Sequence, residues 1–493
     1  MVMKNALAAL LPASDVVNKI GAAFGEAGHE VYLVGGSVRD ALLGTLGHDL
    51  DFTSSARPAQ TEKILRKLTK EIWDTGREFG TISANISGSG NVWQVEVTTF
   101  RADSYQSDSR KPQVAFGETI DEDLVRRDFT VNAMALNITG GETANWRFVD
   151  PLGGMDDLAD QLLRTPTSPQ VSFGDDPLRM MRAARFSSQL GFLVEDTTRA
   201  AMSEMAERID IISAERVRDE LNKLLLTDQP STGLDLLVSS RIADRVLPEL
   251  PAMQLERDEH LRHKDVYEHS LTVLLQAIDL EKARDLVDGK PNPHHEPDLT
   301  LRLAALLHDI GKPATRAYEK GKVTFHHHDV VGARMARKRL RALRYSKEIV
   351  QDVSKLIALH QRFHGYVEGS SGGASSGWSD SAVRRYVRDA GDQLERLHIL
   401  TRSDCTTRNR RKADRLRRAY DEFEYRIDEL AAQEELDAMR PELDGNQIMQ
   451  LLDIPPGPMV GKAYNYLLGL RLDQGPLGAE RAEEALRQWW AEQ

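Results

Sequence analysis

The chain has 493 residues, 41% hydrophobic and 28% charged, with a formal net charge of −12. That length exceeds what one hydrophobic core holds, and the composition excludes wholesale disorder and a membrane-dominated fold, while the net charge argues against a strongly cationic nucleic-acid coat but leaves room for local basic faces. A single cysteine, Cys405, leaves no intramolecular disulfide and points to a reducing compartment.

The stretch 7–11 is short and lacks the flanks of a cleavable signal. No run approaches the ~18 apolar residues that a membrane helix needs, so a cytoplasmic chain is expected. Val31–Val34 reads as an apolar strand, and Gly35-Gly36-Ser37-Val38-Arg39-Asp40 opens a helix that ends near Gly44. Glycines at such a junction let backbone N–H groups approach an anion, and Arg39 is placed to grip a phosphate. Ten residues on, Asp49-Leu50-Asp51 in a strand turns two carboxylates the same way. They repel unless a cation lies between them, and Mg²⁺ is the cation expected with carboxylates and phosphates. Residues 81–86 and 92–97 alternate with period two, and Glu96 is a third carboxylate for the same sheet.

After Pro151 strand signals almost vanish. Helices are expected over 177–190, 214–226, 301–308 and 330–343, a loop over 290–297 and a flexible linker over 369–377. Six Lys/Arg and no acid fall in 333–345, eight against two Asp in 401–420, and the last 73 residues carry 16 acids against six bases. Arg334, Arg337, Arg341 and Arg344 follow helical spacing, and a second cluster spans 408–418.

The strand, Gly-Gly-x-x-Arg-Asp, helix and Asp-x-Asp together resemble the nucleotidyltransferase palm of the DNA polymerase β superfamily. Arg126-Arg127-Asp128-Phe129-Thr130-Val131-Asn132-Ala133 resembles the second signature block of class II tRNA nucleotidyltransferases and their relatives, bacterial poly(A) polymerases. Asp150-Pro151-Leu152-Gly153-Gly154, Asp176-Pro177-Leu178-Arg179-Met180-Met181-Arg182-Ala183-Ala184-Arg185 and Ser213-Ala214-Glu215-Arg216-Val217-Arg218-Asp219-Glu220 resemble the third, fourth and fifth. The resemblance implies that Asp49 and Asp51 bind the catalytic metals. It also implies that Gly36, Arg39, Arg127, Arg182 and Arg185 contact the nucleotide, and that Asp176 and Arg179 read its base. Where that family carries Glu before the reading Asp, this chain has Asp175.

The reading pair has its own physical logic. Asp176 and Arg179 at i,i+3 are expected to share one helix face. A carboxylate accepts and a guanidinium donates, matching the amino donor and ring-nitrogen acceptor of cytosine or adenine. Uracil presents the reverse order, and each unpaired buried group costs about 1–3 kcal/mol.

Further on, His269, His308-Asp309 followed by Ile-Gly-Lys-Pro, His328, His360 and Asp404 resemble, in order and spacing, the HD metal-dependent phosphohydrolase superfamily. The resemblance implies His269, His308, Asp309 and Asp404 as core ligands, with His328 and His360 as ligands for a second metal. Imidazoles favour Ni²⁺, Co²⁺, Mn²⁺ or Zn²⁺ over Mg²⁺. His326 and His327 are expected to be exposed bystanders.

The expected fold is α+β. It comprises a polymerase-β-like head (1–150), a helical neck (151–230), an HD-type helical body (231–420) and an acidic helical tail (421–493). The expected activity is addition of C, C and A to a tRNA 3′ end from CTP and ATP. One basic cluster, Arg411, Arg415 and Arg418, is expected on RNA phosphates. No obligatory protein partner is evident. Poly(A) polymerase, a CC-only or A-only enzyme, and a hydrolase dominated by the HD site stay open. The acidic tail disfavours the first, because poly(A) polymerases of this group tend to end in basic tails.

Overall fold

The computed structural model describes residues 10–74, 76–101, 116–254, 265–319, 322–363, 378–406, 410–434 and 440–492. The expected linker 369–377 and Arg408 lie outside the described residues. The chain forms two compact units, Met1–Pro248 and Glu249–Gln493.

The first unit is built on a mixed sheet of seven strands: β1 (Val31–Val34), β2 (Asp49–Ser54), β3 (Ile72–Trp73), β4 (Thr81–Gly88), β5 (Asn91–Thr99), β6 (Ala135–Asn137) and β7 (Arg147–Val149). Their order is β3-β4-β5-β2-β1-β6-β7. β2 and β5 pair in parallel with Asp51 opposite Glu96, and the other neighbours pair antiparallel. Period-two geometry buries Leu50, Phe52, Val95 and Val97 on one face and leaves Asp49, Asp51, Gln94 and Glu96 open on the other. The Ser14–Glu26 helix turns Val16, Val17, Ile20 and Phe24 inward at helical spacing. The helices that follow the sheet include Pro169–Asp175, Leu178–Leu190, Asp196–Glu204, Ala214–Leu225 and Pro230–Ser239. Leu178–Leu190 packs on Ala214–Leu225 and Pro230–Ser239. Gly233 permits that approach, since a Cβ there would lie 2.3 Å from the Ala184 carbonyl oxygen.

The second unit is helical, with Val266–Arg284, Leu299–Leu307, His328–Ala342, Lys347–Leu359, Asp380–Ala390, Leu394–Ser403 and Arg410–Glu434. Three further helices, Gly445–Leu452, Pro458–Gln474 and Ala479–Ala491, close on a small core of Ile448, Ala463, Leu467, Ala482 and Leu486.

The α+β class and the four expected helices stand, each within two residues at either end. The expectation of a plain loop over 290–297 is corrected. Lys290–Pro291 pairs with Leu286–Val287 in a short hairpin. The turn is Asp288-Gly289, both at positive φ (53° and 73°), the dipeptide a tight hairpin favours. Among the described residues no helix is long and apolar enough to cross a membrane.

Candidate functional site

The glycine turn comes first. Gly35 sits at φ 65°, ψ −132°, a conformation that side chains other than glycine's resist, and a Cβ there would lie 2.8 Å from Arg127 Nη1. The helix Gly36–Leu43 starts immediately, and Ser37 ties it to β2: its hydroxyl accepts from the Asp51 amide at 2.9 Å. One hydrogen bond thereby sets the glycine turn beside the carboxylate strand.

Around this junction lies a cleft of about 510 Å³, lined by Gly36, Arg39, Asp51, Arg127, Asp176, Arg179, Arg182 and Arg185 among others. Eight arginines against four aspartates make its wall a site for a polyanion. Asp49 and Glu96 are not part of that wall; they stand on the same open face of the sheet, Glu96 beside Asp51 in register. Asp51 is reached by solvent through the cleft but hemmed in elsewhere. That desolvation raises its pKa, Arg127 opposes the rise, and Glu96 and Asp49 add to it. Three carboxylates on one open face of the sheet fit a divalent cation.

A chain of hydrogen bonds and ion pairs holds the arginines. Arg39 donates Nη1 to Asn132 Oδ1 at 2.6 Å, Asn132 donates to Asp128 at 3.0 Å, and Arg182 grips Asp128 Oδ2 through Nε at 2.8 Å. Burial alone would raise the Asp128 pKa, yet Arg182 and Asn132 hold its carboxyl well below the usual range. Arg185 donates to Glu220 at 2.8 Å, and Arg127 to Asp123 at 2.8 Å. Phe186 lies under three guanidiniums, with Arg185 Cζ 4.0 Å, Arg39 Cζ 5.2 Å and Arg182 Cζ 5.4 Å from the ring centroid. Sequence reading missed Asp123, Asp128, Asn132, Phe186 and Glu220. Three of them stood inside quoted motifs as partners without a role, and nothing in the spacing marked Phe186 or Asp123 as a support.

The expectation that Asp176 and Arg179 lie on one helix face is corrected. Asp176 has extended backbone (φ −139°, ψ 99°) at the break between Pro169–Asp175 and Leu178–Leu190, because Pro177 disfavours helical geometry in the residue before it. Each side chain is held by a third party. Asp176 Oδ1 accepts from the Leu178 amide at 3.1 Å, and Arg179 donates to Ser172 Oγ at 2.8 Å and to the Arg126 carbonyl. Both still line the same cleft.

The second unit gathers the six expected His and Asp residues. His269, His308 and Asp404 form one set and Asp309, His328 and His360 another, with the ligating atoms of each set within 4.8 Å of one another. Among the described residues only these two sets meet that spacing, and the head carboxylates do not. Asp309 joins them: Oδ2 lies 3.2 Å from His308 Nε2 and 3.5 Å from His269 Nε2, while Oδ1 lies 3.2 Å from His328 Nε2. Adjacent His308 and Asp309 reach one centre because the Leu299–Leu307 helix ends there.

Ring orientation is imposed from behind. Nδ1 of His308, His328 and His360 faces the carbonyls of Ala305, Phe325 and Ile357 at 2.8, 2.7 and 2.6 Å, which turns each Nε2 the other way, and His328 Nε2 meets the Gln361 side-chain amide at 2.9 Å. Nε2 of His308 and of His360 is buried without a hydrogen-bond partner, an arrangement that suits a metal ion. Burial lowers His360 to about 4. It acts the same way on His308, but Asp309 and Asp404 override it and push that pKa up to about 10. Lys312, one turn from Asp309, pairs with it at 2.6 Å and was overlooked in the sequence. His326 and His327 are exposed, as expected.

On the Arg410–Glu434 helix, Arg411, Arg415 and Arg418 are exposed, while Leu416, Tyr420, Phe423 and Ile427 are buried on the opposite face. Arg334, Arg337, Arg341 and Arg344 are exposed as well.

A glycine-turn palm with paired strand carboxylates and an arginine-lined cleft defines a nucleotidyltransferase. Residues 31–164 match the poly A polymerase head domain, 191–253 the probable RNA and SrmB-binding site of polymerase A, and 266–409 the HD domain. An A-adding tRNA nucleotidyltransferase of Deinococcus radiodurans is 33% identical over 470 residues, 94% of this chain and 95% of that one. A CCA-adding enzyme of Lacticaseibacillus paracasei is 42% identical over 231 residues, 47% of this chain and 54% of the relative, so that match spans about half its length. The CCA-adding enzyme of Bacillus stearothermophilus, solved with CTP, shares the fold at a TM-score of 0.66 and 23% identity, covering 98% of both chains. The chain belongs to the tRNA nucleotidyltransferase/poly(A) polymerase family with an HD domain.

Proposed function

We propose that this chain adds C, C and A to the 3′ end of tRNA from CTP and ATP, releasing pyrophosphate. The observation that carries the reading is the shared cleft: Asp51, the arginines and the pair Asp176/Arg179 line one cavity sized for a single nucleotide. The similarity to enzymes named CCA-adding supports it. In this reading Gly36 lets backbone approach the triphosphate, and Arg39, Arg127, Arg182 and Arg185 neutralise it. The RNA 3′-hydroxyl attacks the α-phosphate in line, and no protein nucleophile takes part. Asp49 and Asp51, with Glu96 beside them, would hold Mg²⁺, which when bound lowers the hydroxyl's pKa and offsets charge on the leaving pyrophosphate. Asp176 accepts from the exocyclic amine of C or A and Arg179 donates to the ring nitrogen beside it. Base choice then needs no template strand.

In the second unit His269, His308, Asp309 and Asp404 would hold a transition metal, with His328 and His360 completing a second position across Asp309. The orphaned Nε2 atoms support the assignment. The metal would supply an activated water for accessory phosphohydrolysis. Residues 1–150, 151–230, 231–420 and 421–493 serve in this scheme as head, neck, body and tail.

One observation favours a second reading. The D. radiodurans relative, similar along nearly the whole chain, is named A-adding. An enzyme restricted to the terminal A would use the same cleft. Incubating the protein with tRNA ending before CCA, after C and after CC, with each nucleotide singly and together, separates the two. Full CCA on the shortest substrate supports the first reading, and A added only after CC supports the second. A long A-tail on arbitrary RNA overturns both.

The exposed row Arg411, Arg415 and Arg418 is assigned to tRNA phosphates. Neutralising all three should weaken tRNA binding and reduce the slope of log affinity against log salt by roughly 2–3. Filter binding from low to high salt measures it, and an unchanged slope would place the contact elsewhere.

A further inference from the structure

The fifth sequence block, whose Glu220 holds Arg185, also supplies a side chain that holds the base-reading carboxylate. Arg216 stands in the first turn of the Ala214–Leu225 helix, whose start is set by the Ser213 hydroxyl accepting from the Arg216 amide at 3.4 Å. Its guanidinium lines the cleft, half exposed (50%), and donates Nη2 to Asp176 Oδ2 at 2.9 Å. Asp176 belongs to neither flanking helix. Its plane is set by two donors from different elements, the Leu178 amide on Oδ1 and Arg216 on Oδ2. A carboxylate has about four lone-pair positions, so these two bonds leave capacity for a third donor. Arg179 is anchored independently, on Ser172 and Arg126.

We infer that Arg216 is a positioning residue for base choice: by holding Oδ2 it fixes the plane in which Asp176 meets the exocyclic amino group. It thereby sets the preference for bases that present an amino donor over those that present a carbonyl. The inference rests on the reading that Asp176 and Arg179 recognise the base. Arg216 touches no reacting atom in this scheme. Its loss should disturb discrimination far more than turnover of the correct nucleotide, because Arg39, Arg127 and the strand carboxylates are untouched.

The test compares Arg216→Ala, Arg216→Lys, Asp176→Ala and the double variant Arg216→Ala/Asp176→Ala in the full chain. The substrate is tRNA lacking its 3′ end, and kcat/KM is measured for each of the four nucleotides. Arg216→Ala should lower the ratio of CTP and ATP over UTP and GTP by about tenfold or more, the scale of one misplaced buried hydrogen bond. Arg216→Lys should restore part of it, since a lysine keeps a donor but not the guanidinium plane. The double variant should match Asp176→Ala alone, because a residue acting through Asp176 has nothing left to position. A normal ratio in Arg216→Ala, where Asp176→Ala lowers it, overturns the inference and leaves base reading intact. A loss that adds in full to that of Asp176→Ala also overturns it and makes Arg216 a direct contact. A normal ratio in Asp176→Ala means that base reading itself has failed, and the inference with it. Should the alanine variant fail to fold by circular dichroism, Arg216→Gln carries the same comparison.

Discussion

Asp49→Ala should lower nucleotide addition at least a hundredfold to a thousandfold, about the scale for removing one preorganised charged group from a reacting phosphate. Asp49 and Asp51 project from one face of β2, with Glu96 on the adjoining strand. Removing one carboxylate leaves the remaining pair unable to draw a cation firmly against the triphosphate. The fold should survive, because Asp49 is exposed while Leu50 and Phe52 keep the strand anchored. The His/Asp centre belongs to the other compact unit and keeps all its ligands. Transition-metal content and any hydrolysis of 2′,3′-cyclic nucleotides should therefore be unchanged. Incorporation of CTP and ATP into tRNA, metal analysis and circular dichroism on the same preparation measure all three. Loss of both activities in a well-folded protein would sink the idea of two separable sites.

The reverse variant carries the second large effect. His308→Ala together with Asp309→Ala should abolish transition-metal binding in the second unit, because Asp309 faces both ligand sets. Hydrolysis, where present, should vanish with it, while nucleotide addition persists. The readout is metal retained after loading with Co²⁺ or Ni²⁺ and desalting. His360→Ala should act more narrowly and lower the stoichiometry without emptying the His269/His308/Asp404 set. Both residues of the double variant are buried, at 0% and 1% exposure, so a thermal melt must accompany the assay. A folded double variant that retains metal like the unmodified chain would remove these residues from the metal site. An unmodified chain that retains none would make the helices a structural body.

Much of the fold was legible because its signals are local. The alternation in β4 and β5, the Gly-Gly junction after β1 and the helix over Leu178–Leu190 each depend on neighbours within a few residues. The resemblance to the HD superfamily was likewise enough to pick out the six His and Asp residues that converge in the second unit. The short hairpin at Leu286–Pro291 was missed because its Asp-Gly signal is outweighed by the prolines and histidines that follow.

By itself the sequence determined which chemistry-bearing residues exist and, Asp176 excepted, the strand or helix on or beside which the head residues lie. The elements follow from periods two and 3.6, which any stretch of chain expresses alone, and the roles of the residues from the resemblance of the motifs. The tertiary structure decided who holds whom. Asp128 on Arg182, Glu220 on Arg185, Ser37 on β2, Arg216 on Asp176 and Asp309 between two ligand sets are pairings across a chain turn or tens of residues. A carboxylate's partner is whichever cation the packed backbone brings within about 3 Å, and no local pattern encodes that distance. The same holds for Asp176, which sequence spacing alone placed on a helix face. The proline after it breaks the helix, and only the packed structure shows which donors then set its carboxylate.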